Sequence, residues 1–341
     1  MAALSLLDLA RTLIDFDSTT GREAEACAWL AGYLRERGFH VTEQPIAGRR
    51  FNLLAFVDPA PVVVLSTHVD CVPPFFPSRI EGGRLFGRGA CDAKGALAAQ
   101  LTAVERLREA GEGRVGLLFV VGEERGSDGA AAANAISPGP AFLVNGEPTE
   151  GKLGLATRGA FRVKLRATGR AAHSSQPESG ISAIDLLIDA LVELRGIVLP
   201  EDPQLGRTFY ATGLISGGVA PNVISPSAEA ELNFRTVGPG SEVLERLAPL
   251  RSRVALETVL EVPPVRMRTV PGFETAAFAF TTDIPLLDRW GAPLLFGPGS
   301  ILDAHTDGEH VEIEELEAAA VAYERIARAL LREESAGAGL S

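Results

Sequence analysis

Three short apolar runs, each emptying into acidic residues, constrain this chain more than any other feature. The run at 62–67 leads into His68-Val69-Asp70, that at 114–122 ends in Glu123-Glu124, and that at 141–144 is followed by Asn145-Gly146-Glu147. Continuous apolar runs of this length read as strands buried on both faces of a parallel sheet. Helical patterns separate them, which predicts an α/β fold built on a doubly wound, mostly parallel sheet. Ligands bind such sheets at the carboxyl ends of the strands. Successive strands therefore deliver His68, Asp70, Glu123, Glu124 and Glu147 to one edge.

Other segments fit this frame. Helical patterns cover 4–17 and 22–37, and strand-like runs occupy 40–44 and 52–57. The glycine-rich turn 87–95 presents Asp92 just before a helical pattern with Leu97, Leu101 and Val104 on one face. It has Lys-Gly where a phosphate loop needs Gly-Lys-Ser/Thr, which excludes that reading. After Gly154 the pattern changes to β-α-β-β-α-β, with strands near 160–167, 208–215, 228–236 and 256–262 and helices at 182–195 and 241–253. This is the order of a small two-layer α+β sandwich. The helix at 182–195 is apolar nearly all round, as a crowded core or a subunit contact would require. The sheet domain resumes with a strand at 293–296 and a periodic helix from 313 to 330, leaving 334–341 as a frayed tail. Residues 1–156 and 268–341 are thus expected to form a discontinuous catalytic domain, and 157–267 an inserted lid or dimerisation domain.

Composition narrows the function. The 341 residues are 46% hydrophobic and 22% charged, enough for a full core, and the net charge of −12 excludes a nucleic-acid partner. Cys27, Cys71 and Cys91 are odd in number and lack metal-type spacing, so they read as small buried residues in a reducing, cytoplasmic setting. The first helical pattern carries Asp8 and Arg11 and reads as an amphipathic helix, not a signal peptide. No apolar run reaches the roughly 18–20 residues of a membrane span.

Carboxylates gathered at one edge repel unless cations neutralise them. Oxygen donors with one imidazole for each ion suit a pair of divalent metals, zinc first, then cobalt or manganese. Such ions sit roughly 3.5–4 Å apart and share a bridging carboxylate, a role that falls to Asp92. Side chains of neighbouring Glu123 and Glu124 diverge, so one should bind metal and the other act as a base.

These motifs resemble those of the M20 metallopeptidases, the group of acetylornithine deacetylase, succinyl-diaminopimelate desuccinylase, aminoacylase and glutamate carboxypeptidase. The likeness rests on His68-Val69-Asp70, Gly87 to Gly95, Gly122-Glu123-Glu124, Gly146-Glu147-Pro148-Thr149 and Ala304-His305-Thr306-Asp307-Gly308-Glu309. The resemblance implies that His68 and Glu147 bind one metal, Glu124 and His305 the other, and Asp92 both. It makes Asp70 the residue that orients His68, and Glu123 the general base and then acid acting on a metal-bridging water. His173 resembles a histidine that reaches across a dimer to stabilise an oxyanion. Asn222, Arg235 and Gly299 resemble substrate-binding positions, Arg235 clasping a carboxylate. A glutamate at 147 leans towards acylases and carboxypeptidases over aminopeptidases.

The resulting expectation is a homodimeric, dimetal amidohydrolase of N-acyl amino acids, resembling acetylornithine deacetylase. A carboxypeptidase or dipeptidase on the same site is the nearest alternative, and a non-catalytic peptide binder is disfavoured because Glu123 and every expected ligand are present. Thr282-Asp283 is open to two readings: an ordinary turn start, or a carboxylate meeting a basic substrate side chain. His40 and His310 receive no role.

Overall fold

The apolar runs do become strands. The computed structural model describes residues 4–338. In it β1 (His40–Pro45), β2 (Phe51–Phe56), β3 (Val63–His68), β4 (Val115–Val120) and β5 (Phe142–Asn145) join strand Ala292–Leu295 in one sheet. Its order is β1-β2-β4-β3-β5, with Ala292–Leu295 beside β5. β3 runs parallel to β4 and β5, and β5 parallel to Ala292–Leu295. β2 is antiparallel to both neighbours. Every residue of β3, β4 and β5 is buried, as a sheet covered on both faces requires.

Alternate side chains of these strands enter two different cores. Val63, Leu65, Leu117, Phe119 and Val144 pack with helices α1 (Leu6–Ile14), α2 (Ala24–Glu36), α3 (Lys94–Glu109) and the closing helix Ile313–Ala338. Val64, Leu118, Val120 and Leu143 pack with Ala130 and Ala133 of α4 (Asp128–Asn134) and with Trp290. The doubly wound reading is therefore correct.

The chain divides into two compact units: Met1–Leu155 with Met267–Ala276 and Thr282–Ser341, and Ala156–Arg266 with Ala277–Thr281. The second contains β6 (Gly159–Thr168), α5 (Ala183–Leu194), β7 (Phe209–Gly217), β8 (Ser227–Thr236), α6 (Gly240–Arg246) and β9 (Ala255–Val262). Its antiparallel sheet is ordered β7-β8-β6-β9, with α5 packed on β6 and β8. α5 buries Ala183, Leu187, Ala190 and Leu194. Ile184, Ile188 and Val192 remain exposed on its other side, Val192 at 59%.

Several boundaries differ from the sequence expectation. The first helix ends at Ile14, not at 17, and the Phe16 carbonyl beyond it accepts from the buried Lys94 Nζ (2.9 Å). The helix expected over 241–253 stops at Arg246 and gives way to a 3-10 turn, Ala248–Ser252. Pro249 lies in that turn; it has no N–H to continue the helix, and its ring crowds the preceding turn. The closing helix continues through the expected tail to Ala338, while 339–341 lie outside the described residues. No helix among the described residues is long and apolar enough to cross a membrane.

Candidate metal centre and active site

β4, β3 and β5 are adjacent and parallel, so the loops after them open at the same sheet edge. His68 is the last residue of β3 rather than the first beyond it. Glu123 and Glu124 sit in a 3-10 turn, Glu123–Arg125, just past β4. Gly122 before that turn has φ 81°. A side chain there would also meet Asp128 Oδ1 at 2.1 Å, so glycine is required. Glu147 follows β5, where the Gly146 N–H donates to Ser66 O (2.7 Å) and the Thr67 hydroxyl to Gly146 O (2.7 Å).

The side chains converge. His68 Nε2 lies 3.0 Å from Asp92 Oδ1 and 4.0 Å from Glu147 Oε2. His305 Nε2 lies 2.8 Å from Glu124 Oε1 and 3.3 Å from Asp92 Oδ2. Asp92 thus faces one imidazole with each oxygen. His68, Asp92 and Glu124 each place a ligand atom within 4.8 Å of the others. Glu147 Oε1 is buried with no hydrogen-bond partner. An orphaned anionic oxygen among imidazoles and carboxylates fits a divalent cation, since a buried charge without a partner is strongly disfavoured.

The supporting contacts are specific. His68 Nδ1 lies 2.9 Å from the Asp70 backbone oxygen and 3.7 Å from its carboxylate. The carbonyl can only accept, so Nδ1 carries a proton and Nε2 is the nitrogen available to a metal. The Asp70 carboxylate instead accepts the N–H groups of Glu123 (3.0 Å) and Glu124 (3.2 Å) and the Thr20 hydroxyl (2.8 Å). One residue therefore ties the His68 strand end to the paired-glutamate turn. Glu309, to which sequence reasoning gave no role, supports Asp92 from below. Its buried carboxylate accepts from the Gly89 (2.9 Å), Cys91 (3.2 Å) and Asp92 (3.2 Å) N–H groups and from Arg88 Nη1.

Electrostatics follow from this crowding. Burial pushes the Glu147 and Glu123 carboxyls well above the usual range; His68 opposes this, while neighbouring carboxylates, Asp283 among them, reinforce it. Burial raises Glu124 as well, against its hydrogen bond to His305. His68 loses by burial but gains more from Asp92, Glu147 and Glu123, and ends well above its ordinary value. Hydrogen bonds to Asp92 and Glu124 push His305 up to about 10. Asp92 is opposed by burial, yet both imidazoles hold it well below the carboxylate range. Protons here occupy places that cations would take.

Asp283 precedes a short 3-10 turn, Ile284–Leu286, but its side chain makes no cap bond. Its carboxylate is buried, and burial pushes it up to about 6 against the opposing contact with Ser127.

Among the remaining expected residues, Gly299 (φ 78°) packs so tightly that a side chain would meet Cys91 Sγ at 2.7 Å. His173 and Asn222 lie in the second unit on neighbouring segments. The Ser174 N–H donates to Asn222 O (3.0 Å), and His173 pairs with Val223. The Ser175 N–H donates to His173 Nδ1 (3.2 Å). Arg235, on β8, is partly buried and has no ion-pair partner among the described residues; burial lowers its pKa. Cys27, Cys71 and Cys91 are free and buried.

Comparison with known proteins agrees with this geometry. The family model described as peptidase family M20/M25/M40 matches residues 64–329. A peptidase M20 domain-containing protein of Schizosaccharomyces pombe is 35% identical, over 96% of this chain and 85% of its own length. A protein of Aspergillus clavatus named as a probable carboxypeptidase is 34% identical, over 96% and 83%. The crystal structure of a tripeptidase from Staphylococcus aureus superposes with a TM-score of 0.79 at 20% identity, covering 95% of this chain and 98% of that one. The chain belongs to peptidase family M20/M25/M40, and it is a metal-dependent hydrolase.

Proposed function

We propose that this chain hydrolyses the amide bond of an N-acyl amino acid, the reaction class of acetylornithine deacetylase. The observation that carries the reading is Glu147, with one oxygen orphaned and the other 4.0 Å from His68, together with Asp92 placed between two imidazoles. His68 and Glu147 would hold one divalent cation, Glu124 and His305 a second, and Asp92 both, with zinc first and cobalt or manganese as alternatives. When bound, such cations polarise a carbonyl and bring the pKa of water towards neutrality.

The chain's own residues do the rest. Glu123 is fixed through its backbone N–H to Asp70, which leaves its carboxylate to take a proton from the attacking water and return it to the departing amine. Burial and the Asp283 charge favour the protonated form that the second step needs. In neutral His173 the Ser175 N–H occupies Nδ1, so the ring proton lies on Nε2 and can be donated to an oxyanion. Arg235, lacking a counter-ion, suits a substrate α-carboxylate as a planar fork; Asn222 and Gly299 are further substrate-binding residues of this reading.

A homodimer through the inserted unit is part of this reading. β7 is an edge strand carrying exposed Leu214 (67%) and Ile215 (61%). With the exposed apolar side of α5, it offers an open edge and an apolar patch that a second copy would cover. The unpaired cysteines support a reducing compartment such as the cytoplasm.

A second reading, carboxypeptidase, is favoured by the name of the Aspergillus clavatus relative. Both reactions cut an amide whose nitrogen side bears a free carboxylate. The test is hydrolysis of N-acetyl and N-succinyl amino acids and dipeptides by chelated protein, before and after zinc, cobalt or manganese is restored. Metal-dependent release of an amino acid from the acyl compounds supports deacylation. Release from dipeptides alone moves the assignment to the second reading.

A further inference from the structure

The paired-glutamate turn is held from two sides. On the side of His68, the Asp70 carboxylate accepts the Glu123 and Glu124 N–H groups. On another side lies Arg50, the residue before β2, whose three guanidinium nitrogens are all engaged. Its Nε is 3.1 Å from both Glu23 oxygens, and Nη1 and Nη2 form a fork on Asp128 (2.7 and 3.0 Å). Glu23 caps the start of α2 and is fully buried, whereas Asp128 opens α4 with its side chain 48% exposed.

This bridge bears on the turn itself. A side chain at Gly122, the residue before Glu123, would meet Arg50 Nη2 as well as Asp128 Oδ1. Asn52, two residues after Arg50, holds the adjoining end of β4: its Oδ1 accepts the Val121 N–H (3.1 Å), and its Nδ2 donates to Gly129 O (2.8 Å). The two supports share a foundation. The Thr20 hydroxyl donates to Asp70 (2.8 Å) and the Gly21 N–H to Glu23 (2.9 Å), so one short segment anchors both. That segment runs along the residues after His68, with Ser18 Oγ donating to Val69 O (2.7 Å) and the Thr20 N–H to Cys71 O (3.1 Å). An isolated surface ion pair contributes little. Here a planar fork and a second carboxylate fix one guanidinium, a geometry that the point charge of lysine does not reproduce.

We infer that Arg50 is a positioning residue of the catalytic centre: bridging Glu23 and Asp128 against Gly122, it sets where Glu123 and Glu124 stand relative to His68. It acts through the turn rather than on the substrate. The inference rests on the roles proposed above for those two glutamates. Loss of the bridge frees the turn on one side only, because Asp70 still accepts both N–H groups. Substrate therefore still binds while the base is misplaced, and a misplacement of about 1 Å costs about 100-fold in rate.

The test uses Arg50→Lys, which keeps the charge, and Asp128→Ala, which removes the half-exposed arm of the bridge and leaves the buried Glu23 paired. In metal-loaded protein, kcat for whichever N-acetyl amino acid or dipeptide the wild type cleaves fastest should fall about 10–100-fold in both variants, with KM unchanged. Hydrogen–deuterium exchange of the metal-free protein gives a second readout. Peptides covering 121–127 should exchange faster in both variants, while those covering β3 keep their wild-type rate. Wild-type kcat in both variants, or a rise in KM alone, overturns the inference. Faster exchange spread equally over β3 also overturns it, since that marks general destabilisation. If wild type cleaves no amide, the amide-hydrolase reading fails and exchange alone decides: unchanged rates at 121–127 in both variants then overturn the positioning role.

Discussion

Two buried glutamates, Glu309 and Glu147, have opposite surroundings. Glu309 accepts from three backbone N–H groups and from the buried Arg88. Glu147 has one oxygen with no donor at all and the other 4.0 Å from His68. Buried charges persist in proteins when they are paired and hydrogen-bonded. Glu309 meets that condition within the fold and is a structural clamp; Glu147 would meet it with a cation bound, as proposed above. The same residue type, at similar depth, thus marks scaffold in one place and, on the proposed reading, a ligand site in the other.

The largest effect expected from this division falls on Glu123, which belongs to the side without donors. Glu123→Gln should lower kcat by about 10²–10⁴-fold, the usual contribution of general acid–base catalysis. Metal content and melting temperature should hold, so steady-state kinetics with metal analysis decides. Undiminished turnover removes Glu123 from its role.

Glu309→Ala attacks the clamp. It leaves Arg88 buried and unpaired, a change worth about 3–5 kcal/mol, readable by urea unfolding of the chelated protein. Glu147→Gln should do the reverse. It replaces a carboxyl whose charged form burial and the neighbouring carboxylates disfavour, with His68 alone opposing them, so that fold should be as stable as wild type or more so. Metal affinity should nevertheless drop by at least the about 10–100-fold seen for loss of outer contacts. Equal destabilisation by the two substitutions would erase the contrast.

A smaller effect concerns pH. In the metal-free fold burial raises Glu123 and Glu147 above 4.5, and carboxylate contacts raise His305 from 6.5 to about 10. A raised folded pKa means the fold holds extra protons, so its stabilising share is complete below the unfolded pKa and is lost as pH rises. The melting temperature of chelated protein should fall between pH 6.5 and 10 as His305 titrates. Metal-loaded protein should show a flatter profile, because cations replace those protons.

The meeting of His68, Glu124 and Glu147 was legible because period and punctuation are local signals. Apolar runs define the strands, parallel order sends their ends to one edge, and the acids follow at once in sequence. The clamp was not legible, because Glu309 takes its donors from residues 88–92, more than 200 positions earlier. The division of labour in Asp70, carbonyl to His68 and carboxylate to the glutamate turn, depends on backbone geometry that residue identity does not carry. The end of α6 was readable from Pro249, which the helix expected over 241–253 would have had to pass through.

The central claim, that the carboxylate–imidazole cluster is a metal centre driving amide hydrolysis, is tested most directly by metal titration of chelated protein with turnover followed at each addition. The account predicts no turnover without metal, recovery as the ions bind, and completion at two ions for each chain. Turnover that survives chelation, or full metal occupancy after His68→Ala and Glu147→Ala together, would contradict it.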